Sequence, residues 1–159
     1  MLPWVCAGTL HSTTRRLLCT IVHLYGGPLE LVVDTSVLIA VLTGESTRDR
    51  LIARTQGAEL LAPGSVHWEI GNAFAALLKR RRLKLPEVQA ALAAYAQIPI
   101  RFVEVELGVA GELADRFGLY AYDAYLIACA RRQRAPLLTL DARLGRAARE
   151  AGVVLLEVV

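Results

Sequence analysis

The feature that most constrains this chain is an apolar run at residues 30–42, ELVVDTSVLIAVL, which one carboxylate interrupts at Asp34. The β-branched residues before Asp34 predict a buried strand, and the apolar spacing after it is typical of a helix. Because open α/β sheets bind ligands at the carboxyl ends of their strands, Asp34 is a candidate site residue. Asp is also a preferred N-cap, so Asp34 or Ser36 could instead accept hydrogen bonds from the first N–H groups of the helix.

The length and composition favour one domain that folds around its own core. The chain has 159 residues, of which 55% are hydrophobic, and its mean hydropathy is +0.42. A chain of this length buries enough apolar surface to need no disulfide or metal for folding. Because no apolar stretch reaches the roughly 18 residues that a membrane span requires, we expect a soluble protein.

The cysteines and histidines limit the kinds of site that the chain can carry. Its three cysteines show no CxxC pairing, which is typical of a reducing compartment, so we expect a cytoplasmic protein. The three histidines lack zinc-ligand spacing, and no glycine-rich phosphate loop is present. Any bound metal would therefore have oxygen ligands.

Strand-like and helix-like segments alternate along most of the chain. After the first strand, four further strands are predicted at residues 59–63, 100–105, 135–140 and 153–159. Amphipathic segments between them predict helices, and this alternation is typical of a parallel sheet that is covered on both faces. The expected fold class is therefore α/β.

Residues 1–28 differ from the rest, because they show no sustained period and end in a Gly-Gly-Pro break. We expect them to form a poorly ordered N-terminal extension, and residues 29–159 to form the folded domain.

Three more acids stand near the starts of predicted helices, as Asp34 does. Asp141 follows an apolar strand, Asp123 opens an apolar helix, and Glu69 lies one turn into the helix at residues 65–82. Asp123 could be a helix cap, and Glu69 could be an ordinary exposed side chain. If the four acids converge at one sheet edge, they repel unless divalent cations neutralise them, and Mg²⁺ or Mn²⁺ suits such oxygen ligands.

Four segments together, VVDTSVLIAVL, WEIGNAFAALL, YDAYLIACA and LLTLD, give the chain a family resemblance. Over about residues 31–159 it resembles the PIN-domain ribonucleases, and more closely the VapC-like toxins of type II toxin–antitoxin systems. The resemblance implies a three-layer α/β/α sandwich with a central parallel sheet and a Mg²⁺-dependent endoribonuclease site.

The resemblance also implies roles for individual residues. Asp34 and Asp123 match the main metal ligands, and Glu69 and Asp141 match the acids that complete the catalytic pocket. Two hydroxyl residues occupy positions where the family often has supporting side chains: Ser36 and Thr139.

The implied reaction is metal-assisted hydrolysis of an RNA phosphodiester bond. The formal charge of +3 and the isoelectric point near 9.0 are consistent with a polyanionic partner. Two basic clusters could contact the RNA backbone: Lys79–Arg82, and Arg131 with Arg132 and Arg134. A solvated helix end is the favoured interpretation of the first cluster.

The resemblance implies a cognate antitoxin protein whose tail covers the acidic pocket, and the high hydropathy suggests apolar surface for a partner or a second copy. We therefore expect a homodimer that binds its antitoxin in a groove near Trp68 and Phe74. An antitoxin Arg or Lys would approach the carboxylates and displace the metal.

Two other functions fit parts of the sequence. Asp34 could be a phospho-accepting nucleophile, although the first strand lacks the additional acid that such sites usually place beside it. The chain could also be a PIN-fold protein-binding module without catalysis. Mn²⁺ titration discriminates the module from the nuclease.

Overall fold

The computed structural model describes residues 29–158 and contains one parallel sheet. The segment 1–28 lies outside the described residues, so the boundary at Leu29 stays a prediction. The strands, in the spatial order β3-β2-β1-β4, are β1 (Leu29–Val33), β2 (Ala58–Pro63), β3 (Ile100–Val103) and β4 (Leu137–Leu138). Every pair of neighbouring strands is parallel, which confirms the α/β class.

Helices connect the strands and flank the sheet, as expected for a three-layer sandwich. In the described part of the chain they are α1 (Thr35–Leu42), α2 (Arg48–Thr55), α3 (Ser65–Lys79), α4 (Leu85–Tyr95), α5 (Leu107–Phe117), α6 (Ala121–Gln133) and α7 (Ala142–Glu150). None of these helices is long and apolar enough to cross a membrane.

The core lies between the central strands and the helices packed on them. Leu31, Val32 and Val33 of β1 are at most 1% exposed, as expected for a parallel strand that is covered on both faces. Full burial of each such side chain contributes about 1.5 to 3 kcal/mol to folding. In α6 every residue from Leu126 to Ala130 is buried, which agrees with its nearly uniform apolar sequence.

The last two predicted strands are shorter than the sequence suggested. β4 contains only two residues. The hydroxyl of Thr139, the next residue, already accepts a hydrogen bond from the backbone N–H of Asp141 in the turn towards α7. The prediction of a strand at 153–159 is wrong for the residues described there, which form a single bridge between Leu155 and Leu137. Since β4 is so short, it offers this segment too few backbone groups for a continuous ladder.

Candidate functional site

The four predicted site acids lie around the carboxyl ends of the central strands. β1 ends immediately before Asp34, and β4 ends three residues before Asp141. Glu69 lies in the second turn of α3, which follows β2, and Asp123 lies in the first turn of α6. Parallel strands point their carboxyl ends to the same edge of the sheet, so the topology brings these acids to one side of the molecule.

Asp34 is the most constrained of the four acids. It is 6% exposed, and it is the only charged or polar residue classed as buried among residues 29–158. Its Oδ2 accepts hydrogen bonds from the hydroxyls of Ser36 and Thr139, the latter at 2.7 Å. The side chain does not cap α1, although Asp34 occupies the N-cap position. Burial of a carboxylate without a paired cation destabilises the folded state, and helix capping does not explain why Asp34 is buried.

Ser36 and Thr139 also connect the two sides of the site. The Ser36 hydroxyl accepts from the backbone N–H of Leu140 at 3.1 Å. The Thr139 hydroxyl accepts from the backbone N–H of Asp141 at 2.9 Å. The two hydroxyls therefore tie the end of β1 to the loop between β4 and α7, and they hold Asp34 in one orientation.

Asp141 caps the last helix. It is exposed, and its Oδ1 accepts hydrogen bonds from the backbone N–H groups of Arg143 at 2.7 Å and Leu144 at 3.0 Å. Such a cap contributes about 1 kcal/mol to stability. Asp141 thus has a structural role in this protein, whatever it does for chemistry.

Glu69 is half-buried, and one of its carboxylate oxygens has no partner. Oε2 accepts from the Thr35 hydroxyl at 3.3 Å, whereas Oε1 is buried without a hydrogen bond from any described residue. Burial raises the pKa of Glu69, and the nearby charges of Asp34 and Asp123 raise it further. The hydroxyls of Thr35 and Ser65 oppose this shift, but Ser65 Oγ lies beside the carboxylate without hydrogen-bond geometry.

Asp123 is likewise half-buried in the first turn of α6. The N-cap of this helix is Tyr120, so Asp123 is not its N-cap residue. Burial raises the pKa of Asp123, and the charges of Asp141 and Asp34 add to the increase, whereas Arg143 opposes it. The four acids therefore act on one another electrostatically, and the carboxylates of Glu69 and Asp123 bind protons more tightly than usual.

The acids do not form a closed metal cluster. Within residues 29–158, no group of three His, Cys, Asp or Glu side chains is arranged so that it could hold a metal ion as it stands. Asp34 and Asp141 are each held by their own hydrogen-bond donors, and like charges favour separation. The donor set nevertheless suits Mg²⁺ or Mn²⁺, because it consists of carboxylates, and no Lys or Arg among the described residues forms an ion pair with any of the four acids.

Two contacts at the site were not predicted from the sequence. Thr35 donates to Glu69, and Arg143 lies close enough to Asp123 to influence its charge. Thr35 directly follows Asp34, and Arg143 lies two residues after Asp141. A hydroxyl or cation next to a strand-end acid is the signal that could have indicated them.

The proposed partner groove needs one correction. Phe74 is 1% exposed and belongs to the core, so it cannot line an open groove. It lies on the α3 face that packs inward with Ile70, whereas Trp68 is 71% exposed. The periodicity of α3 identified its apolar residues but not which of them the other helices leave uncovered.

The basic clusters lie away from the acids. Along α3, Lys79 is ten residues beyond Glu69, which corresponds to about 15 Å at 1.5 Å per residue. In the second cluster Arg132 donates to the backbone carbonyl of Glu104 at 3.2 Å. Arg143 is the basic residue whose charge lowers the pKa of a site acid, Asp123, against the larger effect of burial.

Comparisons with known proteins agree on the fold. The family model of the PIN domain matches residues 31–150. Comparison with curated protein sequences finds no match. Among solved structures, PAE2754 from Pyrobaculum aerophilum is similar with a TM-score of 0.58 and 22% identity, over 82% of this chain and 87% of that chain.

Two other solved structures are also similar. VapBC2 from Rickettsia felis, solved bound to a DNA fragment from its promoter, has a TM-score of 0.59 and 13% identity, over 80% of this chain and 98% of that chain. VapC20 from Mycobacterium tuberculosis, a toxin that cleaves the sarcin–ricin loop, has a TM-score of 0.54 and 17% identity, over 74% of this chain and 94% of that chain. At these identities the similarity shows a shared fold.

Proposed function

The chain belongs to the PIN-domain family, and from this premise we propose that it is a Mg²⁺-dependent endoribonuclease, the toxin of a toxin–antitoxin pair. One observation carries the proposal: four acids gather at one edge of the sheet, and among the described residues none of them forms an ion pair with a Lys or Arg. Acids are kept in such surroundings when they bind a cation or move a proton. The proposal places the protein in the cytoplasm, where RNA and antitoxin are both present.

Asp34 and Asp123 would hold the metal, and Mn²⁺ could replace Mg²⁺. When bound, the metal lowers the pKa of a water molecule and neutralises charge on the phosphate oxygens. Asp34 suits this role because Ser36 and Thr139 fix its carboxylate. Asp123 suits it because a neighbouring cation would offset the burial and the repulsion that raise its pKa.

Glu69 and Asp141 would complete the pocket. In hydrolysis, the water oxygen would form a new bond to phosphorus and pass its proton to Glu69, while one P–O ester bond would break and its leaving oxygen would take up a proton from solvent. The raised pKa of Glu69 makes its carboxylate a better proton acceptor than an ordinary surface glutamate. Asp141 would orient the water or a second ion while its Oδ1 continues to cap α7.

Cleavage of a single-stranded RNA pool by the full chain tests this proposal. We expect Asp34→Asn and Asp123→Asn to reduce cleavage to the level measured in EDTA, because each removes a charged ligand but keeps the size of the side chain. Asp115→Asn is the matched control, since Asp115 is exposed on α5. Full activity in either site variant would show that these acids are not metal ligands.

The same assay distinguishes the nuclease from the two alternative functions. A protein-binding module would cut no RNA in Mg²⁺ or Mn²⁺. A phospho-accepting Asp34 would acquire a covalent phosphoryl group from a small phosphate donor, which mass spectrometry detects. The first strand does not favour this chemistry, because it lacks the additional acid that such sites usually place beside the nucleophile.

We further propose that the chain forms a homodimer and binds an antitoxin that inhibits it. The R. felis VapBC2 structure supports a partner of this kind, since it contains both components of such a pair. On this chain, Trp68 of α3 and Ile52 of α2 are 71% and 43% exposed, and both present apolar surface that a partner could cover. An antitoxin Arg or Lys would then pair with the site acids.

Co-expression with the neighbouring small gene tests the partner. We expect that gene product to suppress toxicity and RNA cleavage, and Trp68→Ala to weaken the suppression. Leu85→Ala is a suitable control, since Leu85 is exposed at the start of α4. Light scattering of the chain alone measures the oligomeric state. If the chain harms no host and no adjacent protein binds it, the toxin assignment fails although the PIN fold remains.

A further inference from the structure

A cavity of about 370 Å³ opens at the carboxyl ends of β2 and β3, and Ser65 in its wall lies beside the carboxylate of Glu69. We propose that it binds one nucleobase of the RNA, close to the phosphodiester bond that is cut. This inference rests on the proposed nuclease function and adds a subsite to it. The walls are mostly apolar and include Phe102, Leu107 and Tyr125, together with the polar side chains of Ser65 and Glu104.

Phe102 supplies the aromatic wall. It lies on β3, the outer strand of the sheet, and is 47% exposed, so part of its ring is available for contact. The ring of His67 packs against it edge-on, with 6.0 Å between the ring centroids, and His67 in turn lies 5.8 Å from the ring of Tyr95. These contacts hold Phe102 in place, so it offers a positioned flat surface.

The cavity is adjacent to the acids along α3. Ser65 lines the cavity and lies four residues before Glu69, so the two side chains share one face of the helix. The Ser65 hydroxyl lies beside the Glu69 carboxylate. Tyr125 of α6 forms another part of the cavity wall. A base close to the cut phosphate therefore reaches the cavity.

The charge distribution favours a base over a phosphate as the occupant. The residues that line the cavity include Glu104 but no Lys or Arg, so the cavity offers no cation to a phosphate. Affinity in the cavity therefore comes from uncharged contacts. Stacking of a base on an aromatic ring provides such affinity and tolerates any base, because every base has a π-face. A cavity of about 370 Å³ has room for a base.

Cleavage of RNA substrates with one abasic nucleotide tests the inference. The abasic position is moved stepwise along a substrate with a mapped cut site, and kcat/KM is measured for the full-length protein. We expect one position within two nucleotides of the cut to lower kcat/KM by about tenfold, which corresponds to about 1.4 kcal/mol.

Phe102→Leu keeps an apolar side chain but removes the flat ring. We expect it to lower kcat/KM on intact RNA by about tenfold and to abolish the further loss at the sensitive abasic position. Phe102→Trp should preserve both the rate and the abasic sensitivity, because it retains a ring. Leu85→Ala, an exposed apolar change at the start of α4, should change neither. Circular dichroism checks that each variant is folded.

Several results would overturn the inference. One is that no abasic position matters, and another is that the sensitive position loses as much in Phe102→Leu as in the wild type. A third is that Phe102→Leu cuts RNA normally but escapes antitoxin inhibition, which would assign the cavity to a protein partner. In each of these cases RNA is still cut, so the nuclease proposal survives. Absence of cleavage from every RNA would instead refute the nuclease proposal itself.

Discussion

Replacement of Thr139 by valine tests how the site holds its buried carboxylate. The Thr139 hydroxyl donates to Asp34 Oδ2 at 2.7 Å and accepts from the Asp141 N–H at 2.9 Å. Valine has nearly the same shape but neither hydrogen bond. A hydrogen bond to a charged group contributes about 1.5 to 3 kcal/mol, and a neutral one about 0.5 to 1.5 kcal/mol. Water can replace the hydrogen bond from the Asp141 N–H, because Asp141 is exposed. The lost bond to Asp34 therefore dominates, and we expect Thr139→Val to lower the free energy of unfolding by about 2 kcal/mol.

Urea and thermal unfolding in EDTA measure this change. For a domain of this size, about 2 kcal/mol corresponds to a fall in Tm of about 6 °C. Thr139→Ser keeps the hydroxyl and is the matched control, with an expected loss below about 1 kcal/mol. In an Asp34→Ala background the same Thr139→Val change should cost at least 1 kcal/mol less, because the charged acceptor is gone. Equal losses in the two backgrounds would refute the inferred bond between Thr139 and Asp34.

Two further outcomes are expected. Burial raises the pKa of Glu69, so protonation of this carboxyl stabilises the folded state. This contribution to the free energy of unfolding is fully present below the usual glutamate pKa of 4.5, and it is lost as the pH rises through the folded-state pKa. In EDTA, Glu69→Gln should therefore be more stable than the wild type near neutral pH. Urea unfolding should show that this difference in stability vanishes below about pH 4.5. A variant that is less stable than the wild type at neutral pH would contradict the raised pKa of Glu69. Deletion of residues 1–28 should leave RNA cleavage unchanged, since all four acids follow Leu29, and an inactive 29–159 core beside an active full chain would disprove the proposed boundary.

The sequence predicted the sheet and the order of the site acids because both depend on local patterns. The run before Asp34 is β-branched and ends in an acid, and the structure has β1 up to Val33 and a helix from Thr35. The helix that ends at Gly118 was also predictable, because its C-cap has φ 61°, a conformation that glycine adopts without strain. Such features need no knowledge of distant parts of the chain.

Features that depend on tertiary packing were not predictable. The sequence shows that Phe74 and Trp68 are both apolar, but only the packed helices show that Phe74 is buried and Trp68 is exposed. The strand expected at 153–159 failed because its only available neighbour, β4, has two residues. The unpaired Oε1 of Glu69 likewise depends on which side chains surround it in space.

The most direct test of the central claim is a calorimetric titration of the metal-free full chain with Mn²⁺. The account predicts saturable binding that weakens by more than about tenfold in Asp123→Asn, because a charged oxygen ligand is lost. Asp115→Asn, with its change on the exposed surface of α5, should bind as the wild type does. No saturable binding by the wild type, or equal affinity in Asp123→Asn, would contradict a metal site at this edge of the sheet.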